Sequence, residues 1–226
     1  MKKAYSTYIF DIDGTLIHTA PRILSSIQES LDAVGVQYEQ SQITDTLIGP
    51  KIADILDVMG LESSEELKME VVKNFRRIYD SDPISQSVMY EEAAPILEMA
   101  KTTGCHLFVA TNKPKMPTEK ILSAFGLDFF EDVYCPNKYD GKVLSKAEML
   151  AEIIQNNNLN PQDVLMIGDT EGDFKATQQV GCDFGFASWG YAKDKQRLKK
   201  VSQVVFEETT PVVQKFFKQN LGRTYD

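Results

Sequence analysis

The sequence predicts an α/β fold, in which a parallel sheet is covered by helices and interrupted by a helical insertion. Short apolar runs alternate with helical patterns of about ten residues, an order typical of a parallel sheet with helices on both faces. Residues 20–80 contain helical patterns without a convincing strand. Three of the short runs end in polar residues, namely Asp11, Thr111 and Asp169. Since ligands bind beyond the carboxyl ends of parallel strands, this edge is the predicted site.

The strands are predicted from short runs rich in β-branched and aromatic residues. They are expected at residues 5–10, 106–110, 132–134, 163–167, 183–187 and 201–206. Helices are predicted from apolar periodicity, with Pro21 opening the first one and Gly35 ending it. They are expected at residues 21–34, 43–48, 52–59, 65–79, 91–103, 114–125, 145–155 and 173–180, and from 211 onward.

This order predicts two domains. Residues 1–17 and 85–226 are expected to form the α/β core, and residues 18–84 a helical domain inserted into it.

Composition excludes several classes of protein. The 24 Lys and Arg residues against 33 Asp and Glu leave a formal charge of −9, which disfavours nucleic-acid and anionic-membrane binding. The N-terminal apolar run is short and broken by aspartates, unlike a signal peptide or a membrane span. Three cysteines without a CxxC pair indicate thiols in a reducing cytoplasm. We therefore expect a cytoplasmic protein, monomeric or homodimeric, that acts on a small molecule.

The strongest chemical signal is DIDGTL at residues 11–16. Asp11 and Asp13 are two positions apart, so an extended backbone presents both carboxylates to one side. Gly14 permits a sharp turn directly after them. Two adjacent carboxylates repel each other, and Mg²⁺ relieves that repulsion while preferring oxygen ligands. A solvated turn rich in aspartate is the structural alternative for this motif taken alone.

Two other strand ends carry related signals. Asp169 and Asp173 in GDTEGD are four residues apart, so one helical turn brings them to the same face. Asp173 is also suited to cap that helix. After the strand at 106–110, Thr111 and Asn112 offer a hydroxyl and a backbone N–H to phosphate oxygens, with a simple turn as the alternative.

With these motifs in this order, the chain resembles the haloacid dehalogenase superfamily over essentially its whole length. The resemblance includes Asp11, Asp13 and Gly14, then Thr111, a lysine, and the pair Asp169 and Asp173. It implies a Rossmann-like core, with the helical insertion as the cap of the phosphoglycolate phosphatase-like branch. Two lysines are candidates for the third motif, Lys142 and Lys146; Lys146 is favoured because the branch places this lysine at the start of a helix.

The resemblance also implies roles. Asp11 is the expected nucleophile, and Asp13 the acid that protonates the leaving oxygen and later activates water. Thr111 and Lys146 are expected to bind the phosphoryl group. Mg²⁺ is expected on Asp11, the backbone carbonyl of Asp13, and Asp169. Asp173 is expected beside the ion or in contact with it.

Substrate selection is assigned to the cap. Lys51 in IGPK resembles part of a substrate-facing loop, where pairing with a substrate anion and a solvated surface position are alternatives. Arg22 is a second candidate for a substrate contact. His18 stands where many relatives have an acidic residue. A hinge role is one alternative for it, and the difference weakens the assignment of a particular relative's substrate to this chain.

The expected function is Mg²⁺-dependent hydrolysis of a small phosphate monoester, such as phosphoglycolate or a nucleoside monophosphate. A sugar phosphomutase of the same superfamily is the alternative. Dehalogenation is disfavoured because dehalogenases of the superfamily lack the second aspartate, which is present here as Asp13. An inert binding module is a third class, disfavoured because the catalytic positions are intact.

Overall fold

The computed structural model describes residues 5–207 apart from residue 103. The chain divides into two compact units. One consists of residues 1–18 and 89–226, and the other of residues 19–88.

The first unit is built on a six-stranded parallel sheet with the order β5-β4-β1-β6-β7-β8. The strands of this sheet are β1 Thr7–Phe10, β4 His106–Ala110, β5 Asp132–Tyr134, β6 Val164–Gly168, β7 Asp183–Ala187 and β8 Val204–Phe206. Two short strands, β2 Ile17–His18 and β3 Val88–Met89, lie outside it. The α/β, Rossmann-like class predicted from the sequence is confirmed.

The α-helices of the described residues belong to both units. They are α1 Ala20–Ala33, α2 Ile55–Val58, α3 Glu65–Ser81, α4 Ala93–Thr102, α5 Lys115–Ala124, α6 Lys146–Asn156, α7 Glu171–Val180 and α8 Lys195–Val201.

The central strand β1 determines where the polar residues meet. It lies between β4 and β6, with Phe10 in register with Val109 on one side and Ile167 on the other. All residues of β1 and β6 are buried, as expected for strands of a parallel sheet covered on both faces. The residues that follow these three strands therefore emerge side by side at one edge of the sheet.

The unit of residues 19–88 is helical. Helices α1 and α3 pack against each other around a core that includes Leu31, Leu56 and Phe75. Each fully buried side chain of this kind contributes about 1.5–3 kcal/mol relative to an exposed one. Helix α3 begins after Ser64, whose hydroxyl accepts a hydrogen bond from the N–H of Leu67.

Several predicted elements differ from the observed ones. Residues 43–48 do not form the predicted helix; short 3₁₀ turns occupy Gln40–Gln42 and Asp45–Leu47 instead. Thr44 and Thr46 are β-branched, which lowers helix propensity over so short a stretch. Helix α8 was not predicted because Leu198 is its one fully buried residue, too little for a helical apolar pattern. The helix predicted from residue 211 lies outside the described residues.

Across residues 5–207 without 103, no helix combines the length and the apolar character that crossing a membrane requires.

Candidate active site

Asp11 lies at the centre of a cluster of buried charges at the carboxyl ends of β4, β1 and β6. It follows β1 directly and is 8% exposed. Its Oδ1 accepts a 2.8 Å hydrogen bond from the N–H of Ile12, and its Oδ2 lies 2.9 Å from Nζ of Lys146. One carboxylate oxygen is thus bonded to the backbone and the other to a lysine, which holds the side chain in a single orientation.

Lys146 is the lysine that reaches Asp11. Its Nζ lies 2.9 Å from Asp11 and 3.0 Å from Oδ1 of Asp173, and donates a 2.8 Å bond to the carbonyl of Ala110. An ammonium group has three hydrogens, so these three acceptors match its donor capacity. Lys142, the other candidate from the sequence, pairs instead with Glu152 and is half exposed.

The start of α6 explains how Lys146 is positioned. Lys146 is the first residue of that helix, and Ser145 caps it by accepting a hydrogen bond from the N–H of Glu148. The Glu148 side chain bonds back to the N–H of Ser145, which completes a capping box. Local sequence therefore defines where the helix begins, and with it the origin of the Lys146 side chain.

Asp169 and Asp173 complete the cluster from β6 and α7. Asp173 also belongs to a capping box, because its Oδ2 accepts bonds from the N–H and hydroxyl of Thr170 at 3.0 and 2.6 Å. The N-cap itself is Thr170, and Asp173 takes part in the cap from the third helical position, not as the N-cap suggested by the sequence. Asp169 is fully buried and accepts bonds from the hydroxyl of Thr15 and the N–H of Tyr191.

Two glycines make room for the Asp169 carboxylate. Gly14 has φ of +81°, and a side chain there would collide with Oδ2 of Asp169. Gly190 is similarly close, since an added Cβ would strike Asp169 and the carbonyl of Gly14. Gly14 was singled out from the sequence for its turn, whereas Gly190 was not. A glycine is needed at position 190 only because the loop after β7 packs against the loop after β1 in the folded protein.

The electrostatics of the cluster indicate an excess of negative charge. Burial raises the pKa of Asp11 to about 6, helped by the charges of Asp173 and Asp13 and opposed by Lys146. Burial and the charges of Asp173 and Asp11 raise the pKa of Asp169 well above its ordinary value. For Asp173 burial acts in the same direction, but the Lys146 ammonium and the Thr170 hydrogen bonds outweigh it and lower the pKa.

This donor set fits a divalent cation. Asp11, Asp169 and Asp173 each offer a carboxylate oxygen, and these oxygens lie within 4.8 Å of one another. With Asp13, four carboxylates meet two ammonium groups, those of Lys146 and Lys113. When all are ionised, two negative charges remain unbalanced in a buried setting. Hard oxygen ligands and a deficit of two positive charges match the requirements of Mg²⁺.

Thr111 and Asn112 follow β4 as predicted and differ in burial. Thr111 is buried, and its Oγ1 accepts a 3.3 Å bond from the N–H of Lys113. Asn112 is exposed. The Thr111 hydroxyl and the backbone N–H of Asn112 stay predicted phosphate contacts.

Sequence reasoning missed Lys113. Its side chain is 4% exposed, and its Nζ lies 3.0 Å from Oδ2 of Asp13, whose side chain is 23% exposed. The sequence did carry one signal. Lys113 stands two residues after Thr111, at the end of a predicted strand, where functional residues were expected. The pairing itself joins positions 100 residues apart and is not visible in either motif alone.

The two predicted substrate residues of the helical unit differ sharply. Lys51 is exposed, which is compatible with its predicted contact and equally with a solvated position. Arg22 is buried, and its guanidinium donates to the carbonyls of Asp82 and Ile78 and to the carboxylate of Glu29. With a further bond to Ser25, these contacts use four of the five guanidinium N–H groups and give Arg22 a structural role within its own unit. Its substrate contact stays a prediction without support.

His18 belongs to a small aromatic cluster. Its Nδ1 lies 3.1 Å from the hydroxyl of Tyr90 and 3.2 Å from that of Tyr191, the residue whose N–H binds Asp169. Trp189 extends the cluster and donates a 3.1 Å bond to the carbonyl of Thr15. His18 is therefore held close to the loops that surround Asp169.

Comparison with known proteins places these features in a family. Residues 8–187 match the family model described as haloacid dehalogenase-like hydrolase, which covers more than half of the 226 residues. A haloacid dehalogenase-like family protein from Streptococcus pneumoniae has the same fold, with a TM-score of 0.81 over 94% of this chain and 98% of that one. The two are 20% identical, so this likeness concerns the fold alone.

Two curated relatives carry different names. Tyrosine-protein kinase PtkA of Mycobacterium tuberculosis is 29% identical over 185 residues, which are 82% of this chain but 62% of that protein. The chain thus spans less than two thirds of that relative. Its solved structure is similar, with a TM-score of 0.76 over 96% of this chain and 99% of the solved chain. Phosphoglycolate phosphatase of Aquifex aeolicus is 28% identical over 82% of this chain and 85% of its own length.

Proposed function

The chain belongs to the haloacid dehalogenase-like hydrolase family, as a phosphatase similar to phosphoglycolate phosphatases, and from that premise we propose its reaction. We propose Mg²⁺-dependent hydrolysis of a small phosphate monoester through a phospho-aspartate on Asp11. The observation that supports it most is the cluster of three buried carboxylates at the strand ends, two of which bind Lys146. Phosphoryl transfer depends mainly on positioning and charge neutralisation, which such a cluster supplies.

Asp11 is the proposed nucleophile because of where its oxygens are held. Lys146 binds one oxygen and the N–H of Ile12 the other, so the carboxylate is fixed before substrate arrives. Fixing the nucleophile in advance removes an entropic cost from the reaction. Burial limits competition from water.

Asp13 is the proposed acid and base. It is the more exposed of the two aspartates in the motif, with 23% of its side chain open to solvent. A group that exchanges protons with a leaving alcohol and then with water needs such access. Thr111 and Lys146 are the proposed partners of the phosphoryl oxygens, and the exposed Asn112 an additional one.

Mg²⁺ is proposed on Asp11, Asp169 and the backbone carbonyl of Asp13, with Asp173 beside it. When bound, the ion supplies positive charge to the phosphoryl oxygens and screens the carboxylates from one another. The protein's own contribution is to hold those carboxylates ready. The hydroxyl of Thr15 and the N–H of Tyr191 do this for Asp169, and Thr170 does it for Asp173.

The substrate is proposed to be phosphoglycolate-like or a nucleoside monophosphate, with Lys51 as the candidate contact from the helical unit. Cytoplasmic location and a monomeric or homodimeric state remain predictions.

Release of inorganic phosphate tests the proposal. The panel contains phosphoglycolate, nucleoside monophosphates, hexose phosphates and p-nitrophenyl phosphate, each with Mg²⁺ or EDTA. We expect metal-dependent release that falls at least about 10³-fold in Asp11→Asn, since the nucleophile is lost. Absence of release from every ester by the wild type would reject the hydrolase.

A second candidate is phosphoryl transfer to protein tyrosine, favoured by the similarity to the relative named PtkA. Incubation with γ-labelled ATP and a tyrosine polymer distinguishes it, because a kinase transfers label to the polymer whereas a phosphatase releases phosphate. A phosphomutase, the alternative from sequence, would instead convert one hexose phosphate into its isomer.

A further inference from the structure

We propose that Lys113 is a positioning residue for Asp13, which it holds in place and whose charge it stabilises while the leaving group departs. This rests on the proposed function and adds to it a second lysine with a task different from that of Lys146.

The geometry separates the two lysines by their partners. Lys146 binds Asp11 and Asp173, whereas Nζ of Lys113 lies 3.0 Å from Oδ2 of Asp13. The Lys113 side chain is 4% exposed and that of Asp13 is 23% exposed. The ammonium group is therefore shielded from solvent, whereas part of the Asp13 side chain is open to it.

Lys113 is also held by its backbone. Its N–H donates to Oγ1 of Thr111 and its carbonyl accepts from the hydroxyl of Thr118, both at 3.3 Å. Both threonines are buried. The lysine side chain thus starts from a defined point between β4 and α5.

The contact between Lys113 and Asp13 matters because Asp13 transfers a proton in each half of the proposed reaction. In the first half, an Asp11 oxygen bonds to phosphorus, the bond from phosphorus to the leaving oxygen breaks, and Asp13 gives its proton to that oxygen. Asp13 thereby changes from a neutral acid to a carboxylate, and the alcohol leaves. In the second half, water bonds to phosphorus and passes a proton to Asp13, while the bond from phosphorus to Asp11 breaks.

The Lys113 contact strengthens during the first half. An ammonium group attracts an ionised carboxylate more strongly than the neutral acid, because opposite charges then face each other. The interaction is therefore stronger after proton release than before it, and only interactions of that kind accelerate a chemical step. For an ester whose leaving group departs without a proton, the contact between Lys113 and Asp13 should have little effect on the rate of the first half.

The test compares two esters of different leaving group. An alkyl phosphate requires protonation of its leaving oxygen, whereas p-nitrophenyl phosphate releases a stable anion. For Lys113→Met we expect kcat/KM to fall about 10- to 100-fold on the alkyl ester and less than about 3-fold on the nitrophenyl ester. Asp13→Asn should show the same pattern with larger losses. The double variant should lose little beyond Asp13→Asn alone, because the two residues act as one unit.

Controls separate this role from a structural one. Lys115→Met alters an exposed lysine two residues away, 57% exposed and paired with Glu119, and should leave both esters unaffected. Lys113→Arg should restore most of the activity. Thermal unfolding verifies that each variant is folded, and Lys113→Gln replaces the methionine variant if that one is not.

Equal losses on both esters, additive losses in the double variant, or a change confined to KM for substrates with a second anionic group would each overturn the role of Lys113. If the wild type hydrolyses neither ester, the proposed function itself fails, and the assignment of Lys113 with it. Activity of the wild type thus distinguishes the two failures.

Discussion

Both units of the molecule bury charge, but they do so in opposite ways. In the α/β unit, Asp11, Asp169, Asp173, Lys113 and Lys146 are all less than 9% exposed. Both lysines pair with carboxylates there, Lys146 with Asp11 and Asp173, and Lys113 with Asp13. In the helical unit, Arg22 is 7% exposed and donates to two backbone carbonyls near the end of α3 and to the side chains of Ser25 and Glu29.

The difference shows that burial of a charge does not by itself identify a site. The Arg22 guanidinium donates to two backbone carbonyls, and its charge is balanced by the Glu29 carboxylate. The strand-end cluster retains more negative than positive charge, and the pKa of Asp11 is raised to about 6 as a result of its burial and of its acidic neighbours. Perturbed groups of the second kind are typical of functional sites.

The largest effect that tests this comparison is expected from Lys146→Met. Loss of the ammonium that binds Asp11 and Asp173 should lower kcat/KM about 10²- to 10³-fold, as for removal of one preorganised donor in other enzymes. The measurement is steady-state phosphate release. Lys142→Met is the matched control, because that lysine pairs with Glu152 and should be silent. A greater loss in the control would transfer the role to Lys142.

Arg22→Met should lower the stability of the protein and leave its activity nearly unchanged. The change removes the Arg22 donors to the carbonyls of Asp82 and Ile78, of which Ile78 still accepts from the Ser81 hydroxyl, at an expected cost of about 2 kcal/mol in free energy of unfolding. Urea denaturation measures it. Activity per folded molecule should remain within about twofold, since Arg22 has a structural role and makes no contact with the reacting groups.

The matched control is Arg77→Met, an exposed arginine on α3 that bonds to Asn74. It should change stability by less than about 0.5 kcal/mol. A large rise in KM in Arg22→Met, with stability unchanged, would contradict the structural role and restore the predicted substrate contact.

Magnesium should stabilise the α/β unit by binding its folded form. At a concentration 100 times Kd, the gain is about 2.7 kcal/mol, seen as a higher Tm in Mg²⁺ than in EDTA. Asp169→Asn should abolish that shift, because it removes one of the three clustered carboxylates. Arg22→Met should retain it. An unchanged shift in Asp169→Asn would argue that the ion binds elsewhere.

The smallest expected effect concerns two helix caps. Ser145→Ala and Ser64→Ala each remove a serine that caps a helix, and each should cost about 1 kcal/mol of stability. Only Ser145→Ala should also lower kcat, by roughly threefold or more, because Lys146 is the first residue of the helix it caps. Equal kcat values in the two variants would show that the cap is irrelevant to the position of Lys146.

Much of the fold and part of the site were predictable because their signals are local. A short apolar run identifies a buried strand, and the three strand ends at Asp11, Thr111 and Asp169 meet in the structure as expected. The helix that begins at Lys146 was predicted to within one residue from its apolar periodicity. Helix α8 was missed because its pattern is polar, and its packing depends on contacts around Leu198.

The sequence by itself determined which residues can carry chemistry, since residue type and spacing along a strand or helix are properties of the local chain. Only the tertiary structure decided how those charges are paired. Lys113 meets Asp13 because β4 lies beside β1, and Arg22 meets Ile78 and Asp82 because α1 packs on α3. Pairing between residues that are tens of positions apart depends on strand order and helix packing, and a short sequence motif specifies neither.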